Sequence, residues 1–322
     1  MRYIISFLLA STALPALAQV PRVVTDLPAV HAITAQVMGD LGKPDLLLDK
    51  GGNAHNFQLR PSQARALSQA DLVIWIGPKM TPWLDRALVG VTVGGEKLEL
   101  LAAEGTFRRD FGDMAAHDHA NEAEDTDHAA KTEHAHAEES HAEDAGNTHA
   151  GLDPHAWLDP ANAQYWAGLI AVELSQLDPE NAATYAANAA ATQARIATMD
   201  AEISAILAPV HDKPFVVFHD AYGYFADHYD LTVAGSISLG DATSPGAARL
   251  RELSDTVAAG GALCLFPEGQ HDPALVTQMA NGSKARIGAA LDPSGSLIPP
   301  GPDAYDSLMR ALASTIAACL KG

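Results

Sequence analysis

The sequence predicts an α/β protein: two lobes of parallel βα units joined by a long rigid helix. Three observations carry that prediction. Short apolar runs alternate with helical patterns before residue 111 and again after residue 212, the mark of parallel βα units. Between these regions lies an Ala-rich helical run, Pro179 to Ala208, about 45 Å long at 1.5 Å per residue. A chain of 322 residues also exceeds what one compact core commonly uses.

The first 18 residues stand apart. Arg2 gives a positive start, Ile4 to Ala10 a short apolar core, and Ala16-Leu17-Ala18 a small-x-small cleavage site. The apolar stretch is short for a bilayer span, so a removed export signal is expected rather than a retained anchor. The first lobe then covers 19–178. Its strands are expected at Arg22–Asp26, Asp45–Asp49, Asp71–Ile76 and Glu99–Leu101, with helices at Pro28–Gly39, Ser62–Ala70 and Pro160–Leu177. The connecting helix takes 179–208 and the second lobe 209–322. There the strands are expected at Lys213–Phe218, Leu231–Ser236, Ala262–Phe266 and Lys284–Ala290. Helices are expected at Gly246–Ala259, Pro273–Ala280 and Ser307–Leu320.

Residues 111–150 interrupt the first lobe. Between Asp110 and His149 the chain carries 12 acids against one base, Lys131, and seven of the protein's 14 His. It has nothing aliphatic larger than Ala after Met114. Such a segment buries too little to order itself and reads as a mobile His/Asp/Glu-rich loop. Its imidazoles suit weak, exchangeable metal binding; the plainer alternative is a solvated acidic spacer.

Charge narrows the partners. With 20 Lys+Arg against 40 Asp+Glu the net charge is −20, which excludes nucleic acid or an anionic membrane as the main partner and suits cations. The two Cys, Cys264 and Cys319, are too few for a thiolate zinc knuckle. In an oxidising compartment they suit a disulfide closing a loop of about 55 residues, worth roughly 4 kcal/mol. Two separate buried thiols are the alternative.

In open parallel sheets ligands bind beyond the carboxyl ends of strands. His55 follows the second strand and its Gly-rich turn, and His155 sits in Asp153-Pro154-His155-Ala156-Trp157. His219 ends an apolar strand, while Glu268 and Asp292 follow two later ones. The first two His belong to one lobe and the other residues to the second, so a cleft between lobes would gather them. Three imidazoles with one oxygen ligand suit tetrahedral Zn²⁺; Mn²⁺ prefers more oxygen. A lone His is more often structural than ligating, and His31, His211, His228 and His271 are left as background.

At these motifs the chain resembles the ZnuA family, the periplasmic zinc-binding components of bacterial zinc ABC importers among cluster A-I solute-binding proteins. The carrying segments are Gly52-Asn53-Ala54-His55-Asn56-Phe57, Asp153-Pro154-His155-Ala156-Trp157-Leu158, Phe218-His219-Asp220-Ala221-Tyr222-Gly223, Phe266-Pro267-Glu268-Gly269-Gln270 and Leu291-Asp292-Pro293. The resemblance implies two Rossmann-like lobes and Zn²⁺ in the cleft between them. It implies a periplasmic monomer that delivers the ion to an ABC importer permease with a cytoplasmic ATPase. It makes His55, His155 and His219 the metal ligands and matches Cys264 and Cys319 to a disulfide of enterobacterial-type members. Ala54 stands where some members carry an acidic residue, which leaves the fourth ligand open between Asp292 and water.

The expected function is therefore a high-affinity zinc receptor, not an enzyme. The rivals are a manganese receptor, a periplasmic zinc store, and a zinc hydrolase with Glu268 as base. No His-Glu-x-x-His helix supports the last.

Overall fold

A computed structural model describes residues 20–90, 94–112, 151–238 and 245–322. The export signal expected over 1–18, and the seven His between 117 and 149, lie outside the described residues.

Each lobe holds a four-stranded parallel sheet. In the first, β1 (Val23–Thr25), β2 (Asp45–Leu46), β3 (Leu72–Trp75) and β4 (Glu96–Glu99) pair in the order β2-β1-β3-β4. In the second, β5 (Phe215–His219), β6 (Val233–Ser238), β7 (Cys264–Leu265) and β8 (Arg286–Ile287) pair in the order β6-β5-β7-β8. The two orders are the same, so the second lobe repeats the topology of the first. In each, the first strand of the lobe is the point where strand order reverses, the place where open α/β sheets bind ligands.

The strands β1, β3, β5 and β7 are buried on both faces, as parallel strands under helices must be, while the edge strands β4 and β8 are largely exposed. Successive residues face different cores. Val23, Leu72 and Ile74, like Phe215 and Val217, join one large core that runs through both lobes. Val24, Val73 and Trp75 face a separate core under α2 (Pro61–Ser68) and α3 (Pro82–Gly90). Val216 and Phe218 face a third, under α7 (Ala247–Ala258) and α8 (Ala274–Ala280).

The helices between the sheets supply the shared core. These are α1 (Pro28–Met38), α4 (Pro160–Leu177), α5 (Ala182–Leu207) and α9 (Ala304–Lys321). The sequence fixes the start of α4 sharply: Asp159 caps it by accepting Ala161 N–H at 2.8 Å, and Pro160 stands where no N–H is needed. In α5 the buried residues are Tyr185, Ala189, Thr192, Ile196, Met199, Ile203 and Leu207. Their steps of three and four make one stripe down the helix. Short 3-10 turns carry that line from Pro179 to Val210, so the expected continuous run is a helix of 26 residues with a tight turn at each end.

The lobes are joined by more than the expected single helix. α9 lies along α5 and reaches both lobes. Near its start the Tyr305 hydroxyl donates to Trp157 O at 2.9 Å, in the first lobe. Near its end Cys319 is disulfide-bonded to Cys264 of β7, with Cα atoms 6.3 Å apart.

A short helix, α6 (Gly223–His228), carries a further link between lobes. His228 lies between Asp159 at the start of α4 and Asp200 of α5, with Nδ1 3.0 Å from one carboxylate and Nε2 2.9 Å from the other. Burial alone would lower its pKa; the two carboxylates outweigh that and raise it. Only the protonated ring donates to both. The stability from this bridge is therefore complete below the unfolded pKa of about 6.5 and is lost as pH rises through the higher folded value. Asp26, fully buried and raised to about 7, contributes in the same direction, losing stability as pH rises towards that value. Urea midpoints of wild type and His228→Gln against pH separate the two: the difference between the proteins should shrink above about pH 6.5. A difference independent of pH would remove the protonated bridge.

Candidate metal centre

His219 is the last residue of β5. It therefore emerges where the strand order of its lobe reverses. His55 follows β2 in a turn held by Asn53, whose side-chain oxygen accepts the N–H groups of His55 at 2.9 Å and Asn56 at 3.0 Å. Beneath that turn Trp83 donates to Ala54 O at 2.7 Å, and Phe57 packs edge-on against the Trp83 ring. His155 directly precedes the 3-10 turn Ala156–Leu158, anchored from the second lobe by Trp157 Nε1 donating to Pro293 O at 2.9 Å.

These three elements bring the three expected His together. Their rings meet edge to face, with centroids 5.4 Å apart for His55 and His155 and 5.4 Å for His155 and His219. One ligand atom from each lies within 4.8 Å of the others. Tetrahedral Zn–N bonds of about 2.0–2.1 Å hold nitrogens roughly 3.3 Å apart, so a small inward rotation of the rings completes three bonds. His155 and His219 are buried, while His55 is half-buried and forms the open side.

Two carboxylates set the rings. Asp153 Oδ1 lies 2.7 Å from His155 Nδ1 and also accepts His155 N–H at 3.0 Å. Both oxygens of Glu268 lie 2.7 Å from His219 Nδ1, and the Tyr222 hydroxyl donates to Oε1 at 3.0 Å. An ionised carboxylate only accepts, so in each ring Nδ1 carries the proton and Nε2 becomes the ligand atom. The Nε2 of His155 is buried and has no hydrogen-bond partner within the protein. A buried acceptor in that state is costly alone, and a metal ion satisfies it.

Glu268, weighed in the sequence as a general base, thus grips the far side of a ligand ring. Reaching a metal-bound water would require it to let His219 go. Glu268→Gln keeps the shape but loses the charge and one acceptor. It should weaken zinc binding about 10–100-fold in competition with a chromophoric chelator. Unchanged affinity would remove this orienting role.

Asp292 stands outside the group of converging ligand atoms. Its Oδ2 accepts Leu297 N–H at 2.8 Å, and its Oδ1 accepts Ser296 N–H at 3.2 Å and Ser294 Oγ–H at 3.1 Å. The carboxylate closes the turn that follows β8. Asp153 was part of a motif in the sequence but was not singled out; an acid two residues before a ligating His was the signal. His271, left as background, stacks on Phe218 at 4.3 Å and flanks the site.

The profile of the family described as "Zinc-uptake complex component A periplasmic", ZnuA, matches residues 23–319. The chain belongs to the ZnuA family. It is 51% identical over 312 residues to the high-affinity zinc uptake system protein ZnuA of Paracoccus denitrificans, spanning 97% of this chain and 95% of that one. It is 39% identical to the protein of the same description from Brucella abortus, over 92% and 91% of the two chains. In structure it is similar to a crystal structure of ZnuA, with TM-score 0.70, 25% identity, and coverage of 92% of this chain and 98% of that one. ZnuA proteins are periplasmic by the family's description. Among the described residues no helix is long and apolar enough to cross a membrane.

Proposed function

We infer that this protein is the periplasmic Zn²⁺ receptor of an ABC importer: it captures the ion between its lobes and passes it to a membrane permease driven by a cytoplasmic ATPase. The observation that carries this reading is the convergence of His55, His155 and His219 from three distant segments. Family membership supports the transport role and implies a cognate permease and ATPase.

In this reading the three imidazoles bind Zn²⁺ through nitrogen and water completes the tetrahedron at the open side. Asp292 keeps its turn. A set of three nitrogen donors favours Zn²⁺ over Mn²⁺, which prefers oxygen. The division of the chain follows: 1–18 as a removed export signal, 19–178 and 209–322 as lobes, 179–208 as connector. The His-rich segment 111–150 gathers or buffers zinc through weak sites rather than supplying the tight one.

Competition on protein lacking residues 115–149 tests this. One zinc should bind per chain, and a large excess of Mn²⁺ should leave it in place. Displacement by equimolar Mn²⁺ would favour a manganese receptor. Loss of all chelator-resistant zinc on the deletion would favour a zinc store.

A further inference from the structure

The orienting carboxylate of His155 is held by an arginine that the other lobe in turn grips. Asp153 presents Oδ1 to His155 and Oδ2 to Arg109, whose Nη1 lies 3.3 Å away. Arg109 is 5% exposed, unusual for an arginine, and its second partner is Asp227 of α6. The Arg109 Nε approaches Asp227 Oδ2 to 2.8 Å too obliquely for a hydrogen bond, so the link is a charge contact. The Tyr224 ring of α6 lies under the guanidinium at 5.9 Å. The Tyr224 hydroxyl accepts Arg109 N–H at 3.1 Å and donates to Asp153 O at 2.9 Å. Gly223, the first residue of α6, leaves the room: a Cβ there would sit 1.3 Å from Arg109 Nη1.

We propose that Arg109 is a positioning residue for zinc binding, which ties the orientation of His155 to the seating of α6 against the first lobe. The chain Asp227–Arg109–Asp153–His155 crosses from one lobe to the other and ends on a ligand ring. When α6 is seated, the guanidinium fixes Asp153, and Asp153 fixes the ring plane and its tautomer. When α6 shifts, the guanidinium loses Asp227 and Tyr224 together, and His155 loses its fixed orientation. A buried arginine placed only for packing would not need a carboxylate from each lobe.

This inference rests on His155 being a ligand, so His155→Ala serves as the control. The full-length protein is compared as wild type, His155→Ala, Asp227→Asn, Gly223→Ala and Arg109→Gln. Zinc dissociation is followed by stopped-flow transfer to a chelator, and the visible d–d spectrum is read with Co²⁺ in the site. Asp227→Asn and Gly223→Ala should each speed zinc loss about tenfold or more and alter the Co²⁺ band, with Arg109→Gln larger. Asp227 is partly exposed, so that variant is the one to read if Arg109→Gln fails to fold. Normal dissociation and an unaltered Co²⁺ band in folded Asp227→Asn and Gly223→Ala, beside loss of binding in His155→Ala, would overturn the role of Arg109 alone. Retained binding in His155→Ala would overturn the ligand reading, and this inference with it.

Discussion

Replacing His219 by Ala should abolish tight zinc binding while leaving the fold intact. The ring sits at the end of β5, where a shorter side chain continues the strand without strain, and its backbone N–H and C=O keep their places. What disappears is one of three nitrogen donors, together with the ring that engages Glu268 at 2.7 Å. The loss should exceed the roughly 10–100-fold expected for an orienting partner, because a ligand bond is removed rather than misaligned. His155→Ala should match it. His55→Ala should bind more tightly than either, since His55 is half-buried and water reaches its place most easily. The check is zinc competition with a chelator of known affinity, beside urea unfolding of each apo protein. Equal affinity of wild type and His219→Ala would end the assignment.

The second large effect is on stability. Changing Cys264 and Cys319 together to Ser should cost the apo protein about 4 kcal/mol, from the chain entropy of a loop closed over 55 residues. Cys264 is fully buried in the shared core, so the hydroxyl that replaces its sulfur adds a desolvation penalty. Because α9 reaches both lobes, freeing its end should also loosen their mutual seating. The urea midpoint should fall, and zinc should dissociate faster at temperatures well below unfolding. A double variant within about 1 kcal/mol of wild type would show that α9 docks without the bond.

Much of this was legible in the residues, for reasons that differ by element. The helix Pro160–Leu177 was read at its true bounds because a capping Asp, a first-turn Pro and a terminating Asp-Pro mark its ends. The fourth strand was expected at Glu99–Leu101 and lies at Glu96–Glu99, because Glu-Lys-Leu-Glu is a polar edge strand and hydropathy points past it. The helices Pro82–Gly90 and Gly223–His228 lie outside the elements expected from the sequence; the second, at six residues, is too short for a periodic pattern to stand out. The three His were legible because each ends or follows an apolar strand or sits in a stiff Pro-His-Ala-Trp setting. Arg109 was not, since its partners lie 44 and 118 positions further along the chain, and nothing local to residue 109 announces them. His228 is silent in the sequence for the same reason: its carboxylates come from the cap of α4 and from α5.

The core shared by the two sheets bears on how cargo leaves. Prising the halves apart wide enough to wet even 400 Å² of apolar surface would cost about 10 kcal/mol at roughly 25 cal/mol per Å². That is comparable to the whole stability of an ordinary domain, and a docking membrane partner would have to supply it on every turnover. The half-buried His55 is carried by a turn instead of a strand end, so its ring can leave an ion without the halves parting. If that ring swings outward first, an ion held by three nitrogens is left on two. Unloading by that route is ligand-by-ligand exchange that does not require the halves to part.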